Sequence, residues 1–231
     1  MKIAIVVAMQ KELDLLLPHI SEIVKSEKGR FIVYHGQMAG CEIIAMQSGI
    51  GKVNSALALQ CMLNDFAPDL VINTGVAGGT GRAGILDVVV GSRVAYHDVW
   101  CGPETVPGQA SGCPQFFEPP CGLLDIPALD PAGGVIHGLI ASGDIFVASS
   151  EETERIRGLY PDVAAVDMES ASMAQTCWLS GVPFVSVRVV SDTPGAADNL
   201  SQYENFWTDA PMRTFSVLMP LVEQISQQWK K

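Results

Sequence analysis

Three carboxylates in this sequence, Glu12, Glu169 and Asp192, each follow an apolar segment that has the composition of a buried strand. In open α/β sheets, ligands bind at the carboxyl ends of the strands, so we expect these side chains to meet at one edge. Carboxyl groups can give or take a proton, which makes such a cluster a candidate for general acid–base chemistry. A single carboxylate there is a common helix-capping group, whereas three together predict an active site.

Two further features lie at the same predicted edge. The glycine turn "GVAGG" (75–79) and the segment "GDIF" (143–146), which ends in an aromatic residue, each follow a strand-like run. Arg188 lies inside another apolar run, where a buried guanidinium requires anionic or carbonyl partners. Glu12 and Glu169 are the candidate partners.

The hydrophobic pattern that positions these residues is that of an α/β protein. Eight runs are apolar without strict polar alternation, as strands buried on both faces are, and helical patterns separate them. This order predicts a single-domain three-layer sandwich with a mixed, largely parallel central sheet flanked by helices, and the second and third runs are typical of a hairpin. The strand-like runs are 3–9, 31–36, 42–48, 69–74, 85–96, 134–142, 162–168 and 182–191, and the helical patterns cover 10–25, 51–66, 150–160 and 209–229.

Composition limits the number of domains and the classes of function. The chain has 231 residues, of which 48% are hydrophobic and 17% charged, and no linker, repeat or low-complexity segment interrupts it, so we expect one domain over 1–231. The net charge is −11 and only 14 scattered Lys and Arg occur, which argues against nucleic acid as a partner.

No apolar run reaches the roughly 18 residues of a membrane span, so no membrane partner is expected. We expect a cytoplasmic protein whose run 3–9 is a first strand rather than a signal peptide.

Cysteine and histidine spacing argues against a metal centre. The six cysteines contain no C-x-x-C pair, and no histidine has an i,i+4 partner or stands at zinc-finger spacing. Cys101, Cys113 and Cys121 share one segment, where a disulfide is open but reduced thiols are favoured in a cytosolic chain. His97, in "AYHDVW", is the histidine near the predicted site.

Two glycine-rich segments resemble nucleotide-binding loops without meeting the requirements of either. "GGTGRAG" (78–84) contains G-x-G-x-x-G, but a strand-like run follows it where a dinucleotide site requires a helix. "GIGKVNS" (49–55) lacks the first Gly of a phosphate loop, and Val53 replaces the Ser or Thr that would hold magnesium. We therefore expect no Rossmann cofactor and interpret 49–55 as a tight turn that opens a helix.

Short motifs occur in a specific order along almost the whole chain. They are "MKIAIVVAMQKEL" (1–13), "SGIGKVNSA" (48–56), "VINTGVAGG" (71–79), "YHD" (96–98), "SGDIFV" (142–147), "VDMESAS" (166–172) and "RVVSD" (188–192). In this order they resemble the 5'-methylthioadenosine/S-adenosylhomocysteine nucleosidases, within the purine and uridine nucleoside phosphorylase superfamily. The resemblance implies a nucleoside phosphorylase-like fold, hydrolysis of the N-ribosidic bond of 5'-thio-substituted adenine nucleosides with release of adenine, no metal or organic cofactor, and a homodimer.

The resemblance also implies the catalytic roles. Glu12, with Arg188, would position and activate a water, and Asp192, oriented by Ser191, would hand a proton to the purine N7. The chemistry agrees, because breaking this bond requires an acid at the leaving base and a carboxylate at the water, as in inverting glycosidases. Neighbouring carboxylates in a dry pocket raise one another's pKa, which would let Asp192 carry a proton. Asp167 is assigned to the scaffold.

A second set of residues is implied in substrate binding. Phe146 would stack on adenine while the main chain of Val147 binds its edge, Glu169 would accept from the ribose hydroxyls, and Tyr203 and Phe206 would cover the substrate. The full set is Met9, Ile50, Ala77, Gly78, Phe146, Val147, Met168, Glu169, Ser191, Tyr203 and Phe206.

Two features depart from the family pattern. Val76 stands where the family often has a Ser that helps to hold the water, which bears on the rate. The segment 99–117 differs from the usual pattern in a region that, in the family, reaches into the neighbouring subunit's alkylthio pocket. We expect this loop to lie near the neighbouring active site of a dimer, and the preferred 5'-substituent stays open.

Three functions that are alternatives to the hydrolysis of 5'-thio-substituted adenine nucleosides stay open. The first is that of a phosphorylase, which must bind dianionic phosphate. Glu12 would repel phosphate and Val76 offers it no hydroxyl, although Lys11 and Arg82 could contribute, so hydrolysis is favoured. The second is that of a nucleosidase for a different 5'-modified nucleoside, such as aminodeoxyfutalosine, and the third is that of a catalytically weak nucleoside-binding protein.

Overall fold

The computed structural model describes residues 1–206 and 210–228 as a mixed sheet with helices on its faces. Short 3-10 helices at Leu17–His19, Pro127–Leu129 and Pro131–Gly133 join some of its elements. The elements in chain order are β1 (Lys2–Val7), α1 (Gln10–Leu16), β2 (Ser21–Lys28), β3 (Phe31–Met38), β4 (Cys41–Gln47), α2 (Lys52–Phe66), β5 (Leu70–Gly79), β6 (Val88–Tyr96), β7 (Val135–Ser142), α3 (Ser150–Leu159), β8 (Val163–Asp167), α4 (Ser170–Ser180), β9 (Phe184–Asp192), α5 (Asn199–Asn205) and α6 (Ala210–Gln228).

The sheet has nine strands in the order β2-β3-β4-β1-β5-β8-β7-β6-β9, and β9 also pairs with β5. The first part of β5 pairs in parallel with β1 on one side and β9 on the other, and its last residues, Gly78 and Gly79, pair with β8. Five strands therefore close into a ring, and β1 to β4 extend from β5 as an open sheet. Parallel and antiparallel pairings coexist, as predicted, and the antiparallel β3–β4 pair confirms the expected hairpin.

Apolar cores lie on both faces of the sheet. On one face, Leu13 and Leu16 of α1 and Leu218 of α6 pack against the strands. On the other face, Leu59 of α2 and Met173 of α4 do the same. Burial on both faces accounts for the continuous apolar runs of the central strands. Among the described residues, no helix has the length and apolar character needed to span a membrane.

The helix predicted over 10–25 was wrong in its second half. Helix α1 ends at Leu16, a 3-10 turn that contains Pro18 follows, and β2 takes up the rest. Proline has no N–H for the helical hydrogen-bond ladder, and Glu22 has a positive φ of 54°, both of which oppose a continuing helix. The charged residues of "SEIVKSEK" suit an exposed edge strand, where charge discourages pairing with other chains.

Both glycine-rich segments have the predicted structures. Gly51, with a φ of 93°, precedes the start of α2 at Lys52, so 49–55 is a turn that opens a helix. The segment 78–84 leads into β6 without an intervening helix. The helix predicted over 209–229 appears as α6, and its two outermost predicted residues, Asp209 and Trp229, lie outside the described residues.

Candidate active site

A cavity with about 600 Å³ of empty space, part of it open to solvent, lies where β1, β5, β8 and β9 end. All three carboxylates predicted from the sequence contribute to its wall. The predicted residues that line it are Met9, Glu12, Ile50, Ala77, Gly78, Phe146, Val147, Met168, Glu169, Arg188, Ser191, Asp192 and Tyr203.

Glu12 is fixed by backbone donors from two strand ends. Its Oε2 accepts from the N–H groups of Ala8 and Met9, both at 2.9 Å, and its Oε1 accepts from Val76 N–H at 3.1 Å. It stands in the first turn of α1, directly after β1, which explains why these donors converge on it. Burial raises the pKa of Glu12, while the charge of Arg188 and the three donors act in the opposite direction. The result is an oriented carboxylate poised to take a proton.

Gly75 allows Glu12 to approach the sheet. A Cβ at this position would overlap Glu12 Oε1 and would lie 2.9 Å from Arg188 Nη1. Neither atom could stay in place beside a larger residue. The glycine segment 75–79, predicted as a turn, instead forms the last part of β5, and Gly75 leaves room beside the strand for the carboxylate of Glu12 and the guanidinium of Arg188.

Arg188 is buried, with 1% of its surface exposed, and its guanidinium joins several elements. Its Nη2 lies 2.5 Å from Asp167 Oδ2 and 3.5 Å from Glu169 Oε2, and Nη1 donates to the carbonyl of Val76 at 3.3 Å. Asp167 is therefore the nearest carboxylate, and Glu169, one of the two partners that the sequence suggested, lies at ion-pair distance. Glu12 acts on Arg188 only through longer-range charge. The scaffold role predicted for Asp167 stays a prediction, but its carboxylate faces the cavity arginine.

Glu169 caps the N-terminus of α4, directly after β8, and projects into the cavity. Its Oε1 accepts from Gly51 N–H at 3.1 Å. Burial raises its pKa to about 7, and the charge of Arg188 opposes this shift. Its carboxylate can thus accept from the hydroxyl of a bound ligand.

Asp192 ends β9 and is held by two side-chain donors. Ser191 Oγ donates to Oδ1 at 2.6 Å, and Asn199 Nδ2 donates to Oδ2. Burial raises the pKa of Asp192, and both hydrogen bonds partly offset this rise. Asn199, the first residue of α5, was not identified from the sequence, because only the folded chain brings α5 beside the end of β9.

Aromatic side chains form the outer wall. The rings of Phe146 and Tyr203 meet edge to face, with their centroids 5.9 Å apart, and Tyr203 Oη lies 3.3 Å from Met9 Sδ. Phe146 is 46% exposed, as a stacking surface that awaits a ligand would be. Phe206 is not among the residues that line the cavity; it is buried in the apolar core that also contains Leu218 of α6, which corrects the prediction that it covers the substrate.

A polar clasp, formed by Lys52, Asp98 and Asp144, ties the loop before Phe146 to the start of α2. Asp144 Oδ1 accepts from Lys52 N–H at 2.7 Å, and Asp98 Oδ2 accepts from Lys52 Nζ at 2.9 Å and from Asp144 N–H at 2.8 Å. Gly51, the residue beside Lys52, donates to Glu169. The N–H groups of two adjacent residues thus bind two different carboxylates. That of Gly51 binds Glu169 in the cavity, and that of Lys52 binds Asp144 in the loop that carries Phe146.

His97 lies behind this loop rather than in the cavity wall. It is buried, a Cβ on Gly143 would overlap its ring, and Arg155 donates to its carbonyl at 2.9 Å. Burial lowers its pKa. The arrangement supports the loop by packing and gives His97 no direct access to the cavity.

The described residues hold no group of three or more His, Cys, Asp or Glu arranged to hold a metal ion. Cys101, Cys113 and Cys121 are free thiols, as are the remaining cysteines.

Comparisons with known proteins match almost the whole chain. A family model described as the Phosphorylase superfamily matches residues 2–223. The chain is 37% identical to a 5'-methylthioadenosine/S-adenosylhomocysteine nucleosidase of Exiguobacterium sp. over 98% of this chain and 100% of that protein. It is also similar to two solved nucleosidase structures. That of Neisseria meningitidis, in complex with methylthio-immucillin-A, has a TM-score of 0.90, 36% identity, and coverage of 96% of this chain and 98% of the other. That of Streptococcus pyogenes, in complex with 5-methylthiotubericidin, has a TM-score of 0.91, 35% identity, and 96% coverage of both chains.

Proposed function

The chain belongs to the phosphorylase superfamily, and we propose that it hydrolyses the N-ribosidic bond of 5'-thio-substituted adenine nucleosides, methylthioadenosine and S-adenosylhomocysteine, with release of adenine. The observation that carries the proposal is the pair of buried carboxylates, Glu12 and Asp192, in the wall of one cavity. Such a pair can protonate a leaving base and activate a water. The similarity to the nucleosidases of Exiguobacterium, Neisseria and Streptococcus supports the choice of substrate.

In the proposed reaction, Asp192 donates its proton to the purine N7 as the N-ribosidic bond breaks. Burial raises the pKa of Asp192, which favours the protonated acid, and Ser191 orients it. The ribosyl centre gains positive charge, which the carboxylate of Glu169 stabilises through the ribose hydroxyls. Glu12 takes a proton from the attacking water, whose oxygen bonds to the ribose carbon.

Water is a better nucleophile for this site than phosphate. Among the described residues of the cavity wall, Arg188 is the one with a positive charge. Its guanidinium already pairs with Asp167 and donates to the carbonyl of Val76. Lys11 and Arg82, which could have helped to bind phosphate, are exposed and do not line the cavity. A phosphate dianion beside Glu12 would meet repulsion, and the described wall offers no second cation to offset it.

The deciding experiment is incubation with methylthioadenosine in phosphate-free buffer and in buffer with added phosphate. Adenine and methylthioribose formed at equal rates in both buffers support hydrolysis. Strict dependence on phosphate would replace it with phosphorolysis, and saturable binding without adenine release would indicate a nucleoside-binding protein. Aminodeoxyfutalosine in the same adenine-release assay tests activity on a different 5'-modified substrate.

We also propose a homodimer in which the segment 99–117 lies near the partner's active site. Exposed apolar side chains on α2 and in this segment support it: Val53 is 69% exposed, Leu57 61% and Trp100 64%. Val53 and Leu57 are one helical turn apart on α2, and exposed apolar neighbours of this kind are typical of interaction surfaces. Light scattering should give twice the mass of one chain, and Leu57→Glu should reduce it to one.

Two further parts of the proposal concern the chain as a whole. One domain over residues 1–231 is supported by a sheet whose strands come from both halves of the chain. A cytoplasmic location is supported by the free state of the six cysteines. Limited proteolysis and cell fractionation test these two points.

A further inference from the structure

A second cavity lies behind Glu12, between α1, α6 and the end of β5. This rear cavity, bounded by Glu12, Leu15, Thr74 and Phe215, encloses about 340 Å³ of empty space, part of it open to solvent. Glu12 and Val76 line both cavities, so they form the wall between them. The carboxylate that faces the substrate site is therefore accessible from a second side.

Thr74 is the unusual residue of the rear cavity. It is 3% exposed, and its hydroxyl has no hydrogen-bond partner among the described residues. A buried hydroxyl without a partner is unfavourable, and buried polar groups of this kind are commonly satisfied by an ordered water. The rear cavity has room for about one enclosed water molecule, and Thr74 and Glu12 both offer it polar partners.

The proposed hydrolysis creates a need for such a water. In each turnover Glu12 gains one proton from the attacking water, and Asp192 loses one to the purine. Before the next turnover Glu12 must release its proton and Asp192 must regain one from solvent, so that no net proton is gained or lost. The substrate cavity holds the products at this stage, whereas the rear cavity is partly open to solvent on the other side of Glu12.

We propose that the rear cavity holds a water molecule that bridges Thr74 Oγ1 and the Glu12 carboxylate, and that this water receives the proton that Glu12 gains in each turnover. The hydration site follows from the cavity and the unpartnered hydroxyl alone. The proton route rests on the proposed function. Thr74 would then be a positioning residue, which acts on the reaction through the water that it holds.

Thr74→Val tests both parts, because it keeps the shape of the side chain and removes the hydroxyl. If the cavity is hydrated, the variant leaves the water with one partner fewer, and we expect Tm to fall by about 2 to 4 °C. We also expect kcat for adenine release to fall by about 3- to 10-fold at unchanged KM, the size of effect that the loss of one hydrogen bond produces. Thr74→Ser, which restores the hydroxyl, should recover both values.

A matched control is Thr153→Val on α3, which removes a buried hydroxyl that already bonds to the carbonyl of Ser149. Its Tm should fall while kcat stays at the wild-type value. A Thr74→Val protein with a raised Tm would show a dry cavity, and one with the wild-type kcat would exclude the proton route; either result overturns the proposal. If the wild-type protein releases no adenine, the proposed function fails, while the Tm comparison still decides whether the water is present.

Discussion

Asn199 donates a hydrogen bond from Nδ2 to Oδ2 of Asp192, and both side chains are at least 95% buried. Ser191 donates to the other carboxylate oxygen. Two donors to the charged form favour ionisation, while burial favours the neutral acid, and burial is the larger effect. The protonation state of the proposed acid is therefore set by a balance that Asn199 can shift.

Removal of Asn199 should extend activity to higher pH. Without this donor the pKa of Asp192 rises further, so the acid keeps its proton longer as the pH increases. In Asn199→Ala, the alkaline limb of kcat/KM should move up by about 0.5 to 1 pH unit, as expected for one hydrogen bond, while the maximum rate falls because the carboxyl is less well oriented. Ser201→Ala, at an exposed position of the same helix, is the control and should leave the pH of this limb unchanged. A limb that stays or moves down in Asn199→Ala would contradict the role given to Asp192.

Substitution of either proposed acid–base residue should remove most turnover from a folded protein. Glu12→Gln cannot accept a proton from water, and Asp192→Asn cannot give one to the purine. Each should lower kcat by about 10²- to 10⁴-fold, the usual contribution of general acid–base catalysis. Circular dichroism checks the fold, and Asp14→Asn, on the exposed face of α1, should keep full activity. Wild-type rates in either variant would refute the assignment.

Asp144 should affect substrate affinity more than the chemical step. Its carboxylate accepts from the first residue of α2 and thereby holds the loop that carries Phe146. Asp144→Ala removes this cap, so we expect KM to rise by about 3- to 10-fold, consistent with the value of a helix cap, with kcat within about 2-fold of wild type. Asp130→Ala, which removes the cap of a 3-10 helix away from the cavity, is the matched control. An equal loss of kcat would mean that Asp144 acts on the reaction itself.

The three carboxylates that the sequence predicts at one edge, and that line one cavity, share one property: each lies within a few positions of the end of an apolar strand. Glu12, Glu169 and Asp192 could be placed together because the ends of neighbouring strands meet at one edge. The Asp144–Lys52 contact spans 92 residues, and the Asp192–Asn199 contact requires α5 to fold back on β9; neither leaves a local pattern. Phe206, three residues after Tyr203, has the same aromatic character, and only its burial in the folded core distinguishes it from a cavity residue.

The local sequence pattern also fails to predict structure where pairing between distant strands determines it. The helix predicted over 10–25 extends into the segment of β2, which forms a strand because β3 offers it an edge. The pairing of β5 with β9, which closes the ring, brings Arg188 opposite Gly75 and so beside Glu12. Nothing in the apolar run around Arg188 specifies that register. Such long-range pairings determine which carboxylate the guanidinium meets first.

Glu169 should reduce the stability of the free protein at alkaline pH. Burial raises its pKa to about 7 from an ordinary value of 4.5, so between these pH values the folded state holds more protons than the unfolded state. The stability that this group contributes is therefore present below about pH 4.5 and is lost as the pH rises through 7. Glu169→Gln is neutral throughout, so its Tm relative to wild type should be higher at pH 8 than at pH 5, although adenine release is lost with the ribose contact. Scanning calorimetry at both pH values, with Glu27→Gln on the exposed strand β2 as the control, measures the difference. A Tm difference that is equal at the two pH values would show that ionisation of Glu169 does not oppose folding.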